Sequence, residues 1–312
     1  MDGYRSCHWL LVLTGLLALS GASCPQYLTQ YTTPGPRVLP PAPSIEQVIQ
    51  AVNQNNSQIH SFTTNHAMLS GAGWPTLRAS IAFERPWRLR VLADTGLTGR
   101  ELDLGSNDQI FWFWLRRNQP PALFYCGHDR FATCPARRMI PIEPDFLIEA
   151  LGTAELDPGL AYQGPTPLPG DRLEIRAIRN TPSGAVTKIT IIDAARAWVL
   201  EQHVYDARGQ LQASSIADGH RRDPLTNLVM PTAVRINVPP AQFSLRVDLG
   251  NVQINRLAGD PAVLWAMPNY PGYPAVDLCD PNLHWQQPGG PAATAARLGT
   301  RVWGGGERTF RE

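Results

Sequence analysis

The most reactive side chains in this sequence are its cysteines, and four lie beyond the first ten residues: Cys24, Cys126, Cys134 and Cys279. Cys24 follows Ser20-Gly-Ala-Ser23, a run of small residues that closes an apolar segment. A thiol so placed suits the lipobox pattern, in which the cysteine receives diacylglycerol and becomes the mature N-terminus. Gly21 stands where that pattern prefers leucine, so cleavage after Ser23 without lipid is the alternative. Cys126-Gly-His128-Asp129 and the nearby Cys134 are metal-ligand types, but a fourth ligand at ordinary spacing is missing. In an oxidising compartment Cys126 and Cys134 read instead as a disulfide closing a short loop. We therefore expect that bridge and no metal. If Cys24 carries lipid, an odd cysteine is left over.

Nothing in the sequence points to catalysis. There is no Gly-x-Ser-x-Gly elbow, no His-Glu-x-x-His pair and no phosphate loop. His66, His203 and His220 fall at strand positions without a sequence partner. Glu143 and Asp145 flank a helix start, where carboxylates are expected on electrostatic grounds. No enzyme and no cofactor are expected.

The chain has 312 residues and a formal net charge of +1, so no basic field would attract nucleic acid. Lys188 is the only lysine. Residues 1–23 read as a signal peptide: Arg5 in a short polar start, then Trp9 to Leu19, apolar apart from Thr14 and Gly15 and too short to span a bilayer. Residues 24–43 form a Pro-rich tether headed by Cys24, reaching roughly 25 Å as a coil and about 60 Å as polyproline helix. Residues 44–260 are the folded domain. Residues 261–312 are Pro- and Gly-rich and expected to be largely disordered.

Within the domain, Ser44-Ile-Glu-Gln47 is a capping box, and Ile45, Val48, Ile49 and Val52 recur at helical spacing. The period then becomes two. Strands follow over Phe62–Leu69, Leu77–Phe83, Trp87–Leu92, Leu102–Leu104, Ile110–Leu115 and Ala122–Cys126. Along Ile110-Phe-Trp-Phe-Trp-Leu115 successive side chains face opposite ways, so Phe111 and Phe113 share one face and Trp112 and Trp114 the other. Both faces need apolar cover. A short helix is expected over Asp145–Gly152 and a proline-broken loop over Asp157–Pro169. Further strands follow from Leu173 to Val252, giving about a dozen in one antiparallel meander with helices set in two gaps.

A capped helix, a meander with an Arg-Pro boundary, an aromatic strand, an inserted helix and a second meander resemble, in that order, the LolA/LolB-like superfamily of periplasmic lipoprotein carriers and outer-membrane lipoprotein receptors. The echoes are Phe83-Glu-Arg-Pro-Trp-Arg-Leu-Arg-Val91, Leu104 to Leu115 and Val199 to Leu211, within residues 44–255. The resemblance implies a mainly β fold with a few helices, an incomplete antiparallel β-barrel whose apolar concavity receives acyl chains of lipid or lipoprotein. It implies that Arg85, before Pro86, latches the helical lid by hydrogen-bonding its backbone. Phe83, Trp87, Leu89, Phe111 and Phe113 would line the concavity, and Ile49, Val52, Phe146 and Leu151 would cover it. The receptor-type branch also carries an exposed leucine on a protruding loop, which the sequence alone does not locate. The implied setting is the cell envelope, facing the periplasm from the outer membrane on a lipid anchor. A soluble periplasmic form and a scaffold that uses the fold without ligand transport are the alternatives.

Two or three acyl chains anchor stably where one does not. Cys24→Ser is expected to move the protein from the membrane to the soluble periplasmic fraction. A wild type already soluble, with unmodified Cys24 at its mature N-terminus, would refute the anchor.

Overall fold

The computed structural model describes residues 37–283, apart from 72, 74, 135–143, 182, 183 and 282. The signal peptide, Cys24, the tether up to residue 36 and the C-terminal extension beyond residue 283 lie outside these residues. Among the described residues no helix is long and apolar enough to cross a membrane.

Helix α1 spans Ile45–Asn56. Ser44 starts it: Gln47 donates its amide to Ser44 Oγ at 3.3 Å, and Ser44 donates its own to Gln47 Oε1 at 2.8 Å. This reciprocal pair satisfies two amides that a helix start leaves open. Strands β1 (Ser61–Ser70), β2 (Leu77–Glu84), β3 (Arg88–Asp94), β4 (Arg100–Ser106), β5 (Ile110–Leu115) and β6 (Leu123–Gly127) form the first meander. A short helix α2 (His128–Phe131) follows. Helix α3 (Pro144–Ile148) runs into a π turn over Glu149–Thr153. The second meander is β7 (Tyr162–Leu168), β8 (Arg172–Thr181), β9 (Gly184–Asp193), β10 (Val199–Tyr205), β11 (Leu211–Arg222), β12 (Val229–Val238) and β13 (Phe243–Asp248), with a short β14 (Gln253–Ile254) beside β1. A last segment carries α4 (Pro261–Leu264) and β15 (Ala275–Asp277).

All of these strands belong to one 15-stranded sheet, ordered β15-β6-β5-β4-β3-β2-β1-β13-β12-β11-β10-β9-β8-β7 with β14 on β1. The β1–β13 pairing welds the two meanders. No strand pair closes β7 onto β15 among the described residues, so the sheet is an open, incomplete barrel. Its partners are antiparallel except β15 on β6.

Register fixes which side chains share a face. Phe83 lies opposite Leu89, Leu89 opposite Ser106, and Ser106 opposite Phe111. Val91, Leu104, Phe113 and Phe124 form the next row. Phe111 and Phe113 therefore lie on the inner face, continuous with Phe62, Ile81 and Phe83, while Trp112 and Trp114 lie on the outer face. Helix α1 covers the far end of the inner face, where Val48, Ile49 and Val52 pack on Leu173, Ile175 and Ile192.

Two sequence expectations fail here for physical reasons. The expected loop over Asp157–Pro169 contains β7, which pairs with β8 through a register shift between Gln163 and Thr166. Pro165 and Pro167 are tolerated because β7 is an edge strand that needs ladder bonds on one side only. The segment from 261 to 281, expected to be disordered, is a strap that crosses the outer face up to Tyr273, adds β15 to the sheet edge beside β6 and ends against Phe111 and Phe113. Trp114 stacks on Tyr270 with ring centroids 4.0 Å apart. Beneath the strap, Arg90 donates to Asp103 Oδ2 at 2.7 Å and to the Ala266 carbonyl at 2.8 Å. Tyr270 donates its hydroxyl to the same Asp103 oxygen at 2.6 Å. Gly105 makes room for this layer, since a Cβ there would sit 2.1 Å from the Trp112 ring.

Asp103 is fully buried, so Asp103→Ala would leave the Arg90 charge buried without its partner. Breaking such a pair costs about 3–5 kcal/mol. Urea denaturation of the variant is expected to show a loss of that size; a loss below about 1 kcal/mol, the range of exposed pairs, would mean water reaches the pair.

Candidate functional site: a lidded cleft on the inner face

The inner face is not filled evenly. Over β1 to β4, Phe83 and Leu89 are buried among Ile59, Phe62, Ile81 and Leu151, so this half is packed core. Phe111 and Phe113 pack with Phe124, Phe131 and Cys126 in a separate cluster. Trp87 is half exposed at the rim, its ring 5.6 Å from that of His128. The residues expected to line one cavity are thus divided. Phe83 and Leu89 are used up by packing against neighbours, and Ile49 and Val52 face β8 and β9 rather than the aromatic strand.

The open space lies over β7 to β11. A cleft of about 760 Å³ runs between the inserted helix and this part of the sheet. Its apolar lining includes Phe146, Leu156, Leu160, Ala177, Val186 and Val204. Of the residues expected to bind ligand, Phe146 is the one that borders it. Lys188 projects from the inner face between Ala177 and Val204 and forms an ion pair with Glu149 of the inserted helix. Burial is the main cause that pushes the Tyr162 hydroxyl in the same cleft up to about 12. The signal for this location was the interrupted apolar pattern of β8 and β9, where Arg179, Lys188 and Thr190 share the face of Ala177 and Val186.

The cover over the cleft is held by amides and one guanidinium. Asn53 donates to the Leu156 carbonyl and accepts from the Leu156 amide, both at 2.8 Å. Asn55 makes the same two-way contact with Val229 at 2.9 and 2.8 Å, and Asn56 donates to the Ala154 carbonyl at 2.6 Å. The Asn-rich end of α1 thus clamps the segment after the inserted helix and the start of β12. Gly152 allows that segment its turn: its φ is 104°, and a Cβ would lie 2.3 Å from Pro231 Cδ.

Arg85 joins both halves of the cover to the strand boundary. It donates from Nε to the Ile59 carbonyl at 2.8 Å, and from Nη2 to the carbonyls of Asn56 at 2.8 Å and Thr153 at 2.9 Å. Nη1 lies 2.7 Å from Glu155 Oε1. Burial lowers its pKa, and the Glu155 and Glu149 carboxylates oppose that shift. A planar fork of donors suits this task, because several carbonyls at fixed angles can be met by one side chain.

The remaining chemistry-bearing residues assemble differently from the sequence expectation. Cys126 and Cys134 are unbonded, and Cys279 Sγ lies 2.8 Å from Cys126 Sγ. This sulfur neighbour, supplied by the strap, is 153 residues away in sequence, which local spacing cannot reveal. His128 takes no part in this cluster; its Nε2 lies 3.1 Å from Ser106 Oγ and 3.0 Å from the Asn107 carbonyl.

No family model matches the chain, and no curated protein matches it. Among solved structures, the chain is similar to a domain described as an outer membrane lipoprotein-sorting protein from Vibrio parahaemolyticus, at 11% identity and TM-score 0.49 over 70% of this chain and 97% of that one. It is similar to a DUF1329 family protein from Desulfovibrio piger at 12% and 0.47, over 70% and 96%. It is similar to a LolA superfamily protein from Nitrosomonas europaea at 10% and 0.45, over 71% and 97%. The fold of this chain, on its own topology, is an open antiparallel sheet with helices over its inner face.

Arg85→Leu removes the donors to the Asn56, Ile59 and Thr153 carbonyls. A hydrogen bond from a charged donor contributes about 1.5–3 kcal/mol. Amide exchange of the segment from 149 to 157 is expected to accelerate while circular dichroism of the sheet is unchanged. Unchanged exchange there would remove Arg85 from control of the cover.

Proposed function

We propose that this chain is a non-catalytic cell-envelope protein that takes acyl chains of lipid or lipoprotein into the cleft between the inserted helix and β7 to β11. The observation that carries the reading is the cleft itself, about 760 Å³ of space on the inner face. That volume falls in the range of small-molecule sites, roughly 300–1,000 Å³. Each methylene buried there would contribute about 0.8 kcal/mol. The cover is joined by Arg85 and three asparagines, and it packs on the sheet through Phe146, Ile148, Ala150 and Leu151. Attachment through Cys24 and the proline-rich tether would hold the domain off the membrane. No step requires a cofactor.

One observation favours an acceptor over a shuttling carrier. Leu97 stands on the loop between β3 and β4 and is 94% exposed. A protruding leucine at a hairpin tip is the feature that the resemblance associates with the receptor-type branch.

A fluorescent fatty-acyl probe tests both parts. Ala177→Trp would intrude into the cleft and displace about two methylenes, which corresponds to roughly tenfold weaker binding. Leu97→Glu is expected to leave equilibrium binding unchanged and to slow delivery of the probe to vesicles. Absence of binding by the wild type would favour the scaffold reading, and full binding by Ala177→Trp would move the ligand elsewhere.

A further inference from the structure

The strap is held to the sheet by more than packing. Leu123 donates its amide to the Pro274 carbonyl and Leu278 donates to Tyr125, both at 2.9 Å. Arg130 donates to Asp277 at 2.9 Å. Leu278 is fully buried beside Phe124 and Phe131. These contacts bring Cys279 to Cys126 at the end of β6, with Cys134 close by: the three sulfurs all lie within 4.8 Å of one another.

Such a trio admits a metal site, a disulfide or three thiols, and the geometry separates these. Two thiolates on one tetrahedral zinc, at about 2.3 Å from the metal, would lie roughly 3.8 Å apart. Cys126 and Cys279 are 2.8 Å apart, an approach too short for shared ligation and tight for two unbonded thiols. The surroundings are also wrong for thiolates. Cys134 Sγ donates to the Leu278 carbonyl at 3.0 Å, and Cys126 Sγ lies 3.3 Å from the Gly127 carbonyl. A thiolate has no proton to give and is repelled by carbonyl oxygen. Burial, the largest cause in each case, raises the pKa of Cys126 and pushes that of Cys279 up to about 11. The pocket favours neutral sulfur, and a disulfide is neutral.

We infer that Cys126 and Cys279 are joined by a disulfide that fastens the strap to the sheet edge, and that Cys134 stays outside the bond. In forming it, the two thiols lose two protons and two electrons and gain one S–S bond. The electrons pass to the disulfide of a thiol oxidase by exchange through a mixed disulfide, and the oxidase leaves as a dithiol. Cys134 Sγ is engaged by the Leu278 carbonyl, and the 2.8 Å approach singles out Cys126 and Cys279 as the pair. The bond fixes the cover over Trp112 and Trp114 and keeps Tyr270 on Asp103.

Alkylation of the denatured wild-type protein, then tryptic mapping without reductant, decides the pairing. Cleavage after Arg130 separates Cys126 from Cys134. The expected result is one linked pair carrying Cys126 and Cys279, with Cys134 alkylated. A Cys126–Cys134 or Cys134–Cys279 link, a link to Cys24, three alkylated thiols, or a stoichiometric metal ion released by chelator would each overturn it. A second measurement tests the fastening. Reductant is expected to make the strap several-fold more sensitive to limited proteolysis while circular dichroism of the sheet is unchanged, and Cys134→Ala is expected to behave as wild type in both states. Equal sensitivity with and without reductant would show that the bond does not hold the strap.

Discussion

An inner face that is apolar along most of its length is the constraint on which the molecule depends. The open sheet has no second sheet to bury that face, and each of the other elements covers a part of it or of its outer counterpart. Helix α1 covers the β8–β9 end, the inserted helix covers the middle and the strap covers the outer aromatics. A sheet this wide would otherwise expose far more contiguous apolar surface than a soluble protein sustains. The cover is segmented, and the segments are joined by side-chain bonds to backbone groups as well as by apolar contacts such as Leu156 with α1. Arg85 and the asparagines of α1 are those joints.

The two halves of the sheet spend the same fold differently. Over β1 to β4 the inner side chains are large and meet one another, so the face closes on itself. Over β7 to β11 small residues such as Ala177 and polar residues such as Thr190 and Gln202 interrupt the apolar rows, and the inserted helix bridges over a gap. Cavity and core thus arise from side-chain size on equivalent strand positions, without a change in topology.

Local pattern made some of this legible and long-range pairing hid the rest. The capping box set the start of α1, and the period of two placed most strands within a residue or two of their bounds. Alternation along Phe111 to Trp114 separated the two faces, because parity is a property of the strand alone. The Arg85-Pro86 boundary was legible through the resemblance. What sequence could not give was what covers what. The strap looks like a tail because Pro and Gly dominate it, yet its order comes from Tyr270, Trp265 and Leu278 meeting surfaces more than 100 residues away. Edge strand β7 was obscured by prolines that only an edge position permits. Aromatic density drew attention to Phe111 and Phe113, although dense aromatics mark filled space, and the gap lies where the side chains are small.

Lys188, the chain's only lysine, stands inside the cleft and faces the helix that roofs it. Every other basic side chain is arginine or histidine, neither of which reacts as a primary amine. Composition has therefore given this protein an address: an acylating dye or crosslinker that spares guanidinium finds, along the side chains, a single primary amine, at the contact between sheet and cover.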